Sequence, residues 1–407
     1  MSLLPVAEAQ ERLLSSTRAI TETETVPLTQ AGGRMLAGDL VARMTQPPFN
    51  ASAMDGYALR SADAPEPGAV LTVIGTSSAG HGFGRSVGPG QAVRIFTGAP
   101  VPDGADAVLI QEDAERREDG SLVTKFPVTL GRHIRPRGQD FAEGEAVLTD
   151  GTRLDFGRLT LAAATNHAEL TAYRRPRVAI LATGDELVSP GGAPGPDQII
   201  GSNSFGIATL ARDCGADIID LGIVGDDRAL IAAQVERARA ARADILVTLG
   251  GASVGDHDLV QETLKSVGMV LDFWRIAMRP GKPLMVGSLD DMHVLGLPGN
   301  PVSSMVCALL FLEPMLLKMT RQPTLSRVSE AVTGIDLPAN DKRQDYLRAQ
   351  LSRAPDGRLV VTSFGKQDSS MMKIFAGSDC LIIRPAEAPA LKKGQPCPIL
   401  LLRPFEG

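Results

Sequence analysis

Residues Ile245–Asp258 read ILVTLGGASVGDHD, and Val294–Ser304 read VLGLPGNPVSS. Each is an apolar run that stops abruptly in a glycine turn. Runs without polar alternation belong to strands covered on both faces, as in a parallel sheet wrapped by helices. The second turn opens a helix, with Asn300 at the N-cap, Pro301 at the first helical position, and Ser303 and Ser304 in the first turn. Working outward, strands are predicted at Val178–Ala182, Asp217–Val224, Ile245–Leu249, Leu284–Val286 and Val294–Leu297. Helices are predicted at Ser204–Cys214, Ala229–Ala241, Leu259–Val267 and Pro301–Met319. The alternation predicts a mostly parallel α/β domain over residues 177–325.

The flanking text differs. Val6–Ala19 has helical apolar spacing, and Ala31–Arg43 reads as a second helix or as a short helix and strand. The TQPPFN run at 45–50 breaks that pattern, because neither proline can continue a helix. Short β-like runs follow (Val70–Ile74, Ala92–Phe96, Val108–Gln111), divided by Gly, Pro and Asp turns, and predict a β-rich insertion domain over 46–140. Val147–Thr171 returns to helix-like text, notably Asp155–Thr165. Residues 1–45 with 141–176 are therefore assigned to an N-terminal helical linker domain, ending at the YRRP junction, Tyr173–Pro176. Beyond Arg321 the strand-like runs Gln344–Leu351, Leu359–Thr362, Cys380–Arg384 and Ile399–Leu402 predict a C-terminal β-barrel domain over 326–407.

Bulk properties exclude several classes. A chain of 407 residues is too long for one core. A net charge of −6 without a basic block argues against nucleic-acid binding, and an aromatic content of 4% against base-stacking platforms. The four cysteines are scattered without CxxC spacing and are expected to be buried free thiols in a reducing cytosol. The five dispersed histidines form no zinc pattern. The first residues lack the build of a signal peptide, and no uninterrupted apolar run approaches the roughly 20 residues that span a bilayer. The expectation is a soluble cytoplasmic protein. There is no GxSxG, no Walker A, and no GxGxxG after the first strand of the α/β region, which disfavours triad hydrolases, kinases and dehydrogenases.

The chemistry concentrates at strand ends. Glycines let a backbone close on a phosphate, and a helix N-terminus offers it free N–H groups. Three strand ends combine glycine with acid: Ala182–Glu186 (ATGDE), Val224–Asp227 (VGDD) and Gly250–Asp258. In parallel sheets, ligands sit outside the carboxyl ends of the strands. Carboxylates beside a phosphate require a divalent cation between them, and an all-oxygen donor set favours Mg²⁺. Glu186, Asp226 and Asp258 are the metal-ligand candidates, with Asp227 and Asp256 left open by spacing. Arg275, Arg279 and Lys282, in RIAMRPGKP, suit an oxyanion or polyphosphate, whereas Trp274 is read as core packing. In the insertion, NASAMDGY (50–57), RIFTGAPVP (94–102) and HIRPRGQD (133–140) carry Asp55, Thr97, Arg135, Arg137 and Asp140; turn chemistry or surface ion pairs would explain each alone. Gln367–Met372 (QDSSMM) places Ser369 and Ser370 before an apolar helical patch.

SAMDGYA, RIFTGAPVPDGADAV, RPRGQDF, ATGDEL, LGGASVGDHD, MRPGKP and LPGNPVSS occur in the same order as in the MoeA / gephyrin E-domain family, the molybdopterin molybdenumtransferases, which this sequence resembles over nearly its whole length. The resemblance implies an elongated homodimer of four-domain subunits with a molybdopterin-binding-like α/β domain. It implies insertion of molybdenum from molybdate into adenylylated molybdopterin, with Mg²⁺-dependent release of AMP, as the last step of molybdenum cofactor assembly. Carried over residue by residue, Asp55, Asp140, Glu186, Asp226 and Asp258 match functional acids, with Glu186, Asp226 and Asp258 handling Mg²⁺ and pyrophosphate. Thr97, Arg135, Arg275, Arg279 and Ser369 match substrate or oxyanion contacts. Arg137, Thr183, Gly184, Asn203, Gly250, Gly251, Ser253, Lys282, Pro298, Gly299 and Asn300 complete the expected substrate-binding set. Asp55, Thr97 and Asp140 would face the site from the insertion domain of the partner subunit. Molybdopterin-synthesis enzymes and molybdoenzyme acceptors are the implied protein partners, with no nucleic acid and no membrane. Two features depart from the family pattern: positions 275 and 279 are arginine where some relatives carry lysine, and QDSS replaces a more glycine-containing turn. The competing readings are a non-catalytic scaffold of gephyrin type and a sibling pterin-nucleotide enzyme on the same α/β module. The intact acids count against the first, and the insertion and C-terminal domains against the second.

Overall fold

A computed structural model describes residues 3–250, 259–323 and 326–405. The chain folds as two compact units, Met1–Thr23 with Tyr173–Gly407, and Glu24–Ala172.

The centre of the first unit is an α/β sandwich. Its helices and strands are α1 (Val6–Ser16), β1 (Arg177–Thr183), α2 (Asn203–Asp213), β2 (Asp217–Val224), α3 (Arg228–Ala240), β3 (Ile245–Leu249), α4 (Leu259–Ser266), β4 (Val270–Trp274), β5 (Met285–Leu289), β6 (Met292–Leu297) and α5 (Pro301–Met319). The sheet order is β2-β1-β3-β6-β5-β4. β2, β1, β3 and β6 run parallel; β5 pairs antiparallel with β6, and β4 pairs antiparallel with β5. The pattern of β1 shows why its sequence has no polar alternation. Val178, Ile180 and Ala182 face α1, α2 and α5, while Ala179 and Leu181 face α3 and α4. Each of these five positions is inside one of two cores. β4 is absent from the sequence prediction although four of its five residues (VLDFW) are apolar; it is an edge strand in which only Phe273 is buried, and a short apolar run of this kind has no periodicity that identifies it as a strand.

The helix α5 is long and apolar enough to cross a membrane, yet 72% of its apolar window is buried, and it is a core helix of the sandwich. A π-helical turn at Ala308–Leu312 lies just before Pro314. Proline cannot donate to the carbonyl four residues back. The Leu310 carbonyl accepts instead from Gln10 Nε2 on α1, at 2.8 Å. The first helix is tied further by Lys318 Nζ donating to the Leu14 carbonyl at 2.6 Å, and it buries Val6, Ala9 and Leu13 in the α5 core.

The C-terminal strands close on themselves. Gln344–Arg353 pairs with Leu359–Ser363 and with Cys380–Arg384, and the ring is completed through Val328–Thr333 and Pro396–Leu401. This is the barrel-like sheet expected from the C-terminal text. The short strand Met278–Arg279 adds to it, placing Arg279 opposite Asp345.

The second unit holds a six-stranded sheet built from Gly56–Leu59, Val70–Ser77, Gln91–Ile95, Ala107–Ile110, Ala114–Arg116 and Ser121–Thr124. It also contains the helix Phe156–Ala164, capped by Asp155 Oδ1 accepting the Arg158 N–H at 3.0 Å. The helix anticipated in Ala31–Arg43 does not form. Gly33 and Gly38 sit at φ +75° and +82°, which helical residues cannot adopt, and the segment ends in a two-residue strand, Leu40–Val41. All four cysteines are free and buried. Burial pushes the Cys214 and Cys380 thiols up to about 12, so they stay protonated and unreactive.

Candidate functional site

A cavity of about 870 Å³ opens at the carboxyl ends of β1, β3 and β6, where the three acidic strand ends and the α5 start were expected to converge. Its wall includes Thr183, Gly184, Glu186, Asn203, Asp226, Gly250, Pro298, Gly299 and Asn300.

The glycines are required by close approach. Gly250 has φ +97°, and a Cβ there would lie 2.6 Å from the Thr183 carbonyl oxygen. A Cβ on Gly299 would lie 3.7 Å from the Gly250 Cα, so the two glycine turns touch. Asn203 fastens the second turn, its Nδ2 donating to the Gly299 carbonyl at 2.8 Å. The backbone of Gly184 leaves room for the Glu186 carboxylate to lie over it: a Cβ would come within 2.3 Å of Oε2.

The VGDD turn divides its two acids by role. Asp227 Oδ1 accepts the N–H groups of Ala229 and Leu230 at 2.8 and 2.9 Å, capping α3. Asp227 is thus engaged by the helix, and Asp226 lines the cavity. Desolvation raises the Asp226 carboxyl above the ordinary aspartate range, and the negative charges of Asp185 and Glu186 add to the rise. A cation at this point would relieve that repulsion. Mg²⁺ commonly takes one or two carboxylates and fills its remaining positions with water and phosphate oxygens. Glu186 and Asp226 fit that donor set. Among the described residues no group of three metal-ligating side chains is assembled, and Asp258, Asp256, Gly251 and Ser253 lie outside the described residues.

The start of α5 follows the sequence reading in part. Asn300 is the N-cap residue and Pro301 opens the helix, but the Asn300 side chain makes no capping bond. The Val302 N–H donates to the Ser369 carbonyl at 3.0 Å, so the barrel's Gln367–Ser370 turn is docked on the helix start. It is Ser370 that lines the cavity, while Ser369 contributes its carbonyl to the docking bond. Ser370 Oγ donates to Asp368 Oδ1 at 2.6 Å.

The expected anion-holding cations stand apart from the cavity wall. Arg279 Nε donates to Asp345 Oδ1 at 2.8 Å, with a second bond from Nη2 to Oδ2, and its Nη1 reaches Asp341 at 3.3 Å. Arg275 stacks over Trp274, its guanidinium 4.2 Å from the ring centroid. From that stretch it is Pro283, next to Lys282, that lines the cavity.

The second unit gathers its own cluster. Thr97 donates both its backbone N–H, at 2.8 Å, and its hydroxyl, at 2.7 Å, to Asp55 Oδ1. These bonds hold the Asp55 carboxyl below the usual range, the backbone bond contributing most. Arg135 lies opposite Ala51 in a short antiparallel ribbon. Arg137 donates its N–H to Asn50 Oδ1 at 2.9 Å and its Nε to the Pro48 carbonyl at 3.1 Å. The Asp140 N–H donates to the Gln46 carbonyl at 3.0 Å. The Asn50–Asp55 loop thereby joins the three motifs that carry Asp55, Thr97, Arg135 and Arg137.

Three residues at or beside the wall were not singled out from sequence. Asp185 neighbours the wall and was legible only as part of ATGDE. Ile199 and Ile200 line the cavity, and nothing in their apolar text separated them from an ordinary strand.

Comparison with known proteins places these features in context. Residues 4–165 match the family model "MoeA N-terminal region (domain I and II)", residues 179–318 "Probable molybdopterin binding domain", and residues 330–402 "MoeA C-terminal region (domain IV)". The chain is 34% identical over 400 residues to a molybdopterin molybdenumtransferase of Haemophilus influenzae, covering 97% of each. It is 33% identical over 414 residues to that of Bacillus subtilis, covering 99% of this chain and 95% of the relative. The fold matches the crystal structure of a molybdopterin biosynthesis moeA protein from Pyrococcus horikoshii with a TM-score of 0.83 at 28% identity, covering 99% of this chain and 100% of that one.

Proposed function

The chain belongs to the MoeA family, whose activity, molybdopterin molybdenumtransfer, is its own, and we propose that the strand-end cavity takes adenylylated molybdopterin and molybdate with Mg²⁺. The product is molybdenum cofactor, and hydrolysis of the phosphoanhydride releases AMP. The observation that carries this reading is the meeting of two glycine turns and two carboxylates, Glu186 and Asp226, in one cavity.

Backbone N–H groups around Gly250 and Gly299 would hold phosphate oxygens, as glycine turns at strand ends do. Glu186 and Asp226, with Asp258, would hold Mg²⁺, which when bound neutralises charge on a pyrophosphate. The cavity is roomy enough for a drug-sized ligand, within the usual range of about 300–1,000 Å³. Ser370 brings the barrel to the same wall. Arg275 and Lys282 would draw in the anionic substrates, whereas the charge of Arg279 is already met by Asp345 and Asp341. Molybdate is itself a dianion, so cations and a bridging metal suit both ligands.

We also propose that the protein works as a homodimer in the cytosol, with Asp55, Thr97 and Asp140 serving a cavity of the second copy. The first part follows the family pattern that Asp55, Thr97 and Asp140 match, and four buried free thiols suit a reducing compartment. The defining experiment incubates purified protein with adenylylated molybdopterin, molybdate and Mg²⁺. Molybdate-dependent AMP release with formation of active cofactor is expected. Release that ignores molybdate, or no release, would overturn the proposal. For the shared site, Asp55→Ala and Asp226→Ala chains are each inactive alone, and mixed dimers recover part of the turnover.

A further inference from the structure

Resting on that reading, we infer that Asp185 is a positioning residue: by bonding the Asp226 backbone it holds two strand-end loops together and keeps Glu186 and Asp226 in one cavity.

The last rungs between β1 and β2 are the Thr183–Val224 pair and the Gly184 N–H donating to the Val224 carbonyl at 3.1 Å. Beyond them the chains diverge, β1 into Asp185–Glu186 and β2 into Gly225–Asp226. Across this divergence Asp185 Oδ1 accepts the Asp226 N–H at 3.0 Å. Gly225 makes the approach possible, because a Cβ there would lie 2.6 Å from the same Oδ1. The other side of the loop is tied as well: the Asp185 carbonyl accepts Gln198 Nε2 at 3.4 Å, and the Glu186 carbonyl accepts the Ile199 N–H at 2.7 Å. Asp185 is not itself in the cavity wall, whereas both residues it links are. What the position requires is an acceptor oxygen, which asparagine also carries, and not a third negative charge.

Three variants separate these roles. Asp185→Ala removes the acceptor, Asp185→Asn keeps it without the charge, and Gly225→Ala drives a methyl into it. Amide exchange in the 221–230 segment, Mn²⁺ binding without substrate, and the kcat and KM for adenylylated molybdopterin are measured on each full-length protein. Asp185→Ala and Gly225→Ala are expected to speed exchange of the Asp226 amide, weaken Mn²⁺ binding and lower kcat, each on the order of tenfold, the scale of a hydrogen bond to a charged group. Their thermal midpoints are expected to fall by only a few degrees, and Asp185→Asn to stay within about threefold of the parent in exchange, Mn²⁺ binding and kcat, since a neutral acceptor keeps most of the bond. Unchanged exchange in Asp185→Ala would overturn the inference. So would an Asp185→Asn variant as impaired in Mn²⁺ binding as Asp185→Ala, which would make the charge the functional element. If the parent protein releases no AMP, the proposed function fails, while the exchange and Mn²⁺ arms still decide the role of Asp185.

Discussion

Gly250 is the point at which the end of β1 and both glycine turns meet, so Gly250→Ala tests whether the cavity floor is built as described. The methyl would sit 2.6 Å from the Thr183 carbonyl oxygen and 3.2 Å from its hydroxyl, with the backbone held at φ +97°. An L-residue forced into this half of φ space costs about 1–2 kcal/mol. The close contact is with backbone, so a strand end has to shift, and overpacking of that kind costs about 1–3 kcal/mol. The total is on the order of 2–5 kcal/mol, which for a body of some 150–250 residues corresponds to a fall of about 4–20 °C in the midpoint. Calorimetry reads the fall in the transition of the α/β unit. Gly184→Ala is the internal contrast. Its methyl meets the Glu186 carboxylate at 2.3 Å, the far end of a flexible side chain that can swing aside. That variant loses about 1–3 kcal/mol to backbone strain alone, but it expels a proposed metal ligand and loses turnover. A Gly250→Ala protein melting within about 1 °C of the parent would refute the close approach of the two strand ends.

Arg279→Ala strips Asp345, a buried carboxylate at 4% exposure, of its bidentate partner. Removal of one partner from a buried pair costs about 3–5 kcal/mol, and the half-exposed guanidinium reduces that to about 2–3 kcal/mol; recovery of stability in Arg279→Ala with Asp345→Asn, measured by denaturant unfolding, checks the cause. Asp226 titrates above the ordinary aspartate range in the folded state, so folding favours its protonated form, and its ionisation costs stability as pH rises through the folded value. Asp226→Asn should therefore raise the metal-free melting point at pH 7 and leave it unchanged near pH 3, and a lower melting point at pH 7 would contradict the reasoning. Asp55 has the opposite sign: its depressed value stabilises the fold above the ordinary aspartate range, and that contribution is lost as pH falls through the folded value. Thr97→Val removes one of its two donors, and carboxyl NMR should show the Asp55 titration moving up towards the ordinary value; an unmoved titration rules out the hydroxyl as a cause.

The sequence was most legible where a single strand or turn had to satisfy its own requirements. β1 must bury both faces, so its text is apolar throughout, and a helix start with Asn300 and Pro301 is written in adjacent letters. It was least legible where the deciding partner is remote. Arg279 reads as a free cation for an oxyanion, but the barrel strand delivers Asp345 from 66 residues away. That pairing is set by the register of Met278–Arg279 on Gln344–Asp345 and leaves no trace near Arg279. The two aspartates of VGDD show the intermediate case. Both are acidic and adjacent, so spacing cannot rank them, yet a helix beginning at Arg228 places Asp227 at its N-cap. Once that cap is assigned, Asp226 is the residue left to face the cavity, and its backbone N–H is left for Asp185. The same logic separates Ser369 from Ser370: one serine's carbonyl is consumed in docking on α5, which turns its neighbour to the wall. In each pair, the residue that meets the structural demand of an element end leaves its neighbour at the cavity, so helix capping and docking select the functional member from letters that are chemically alike.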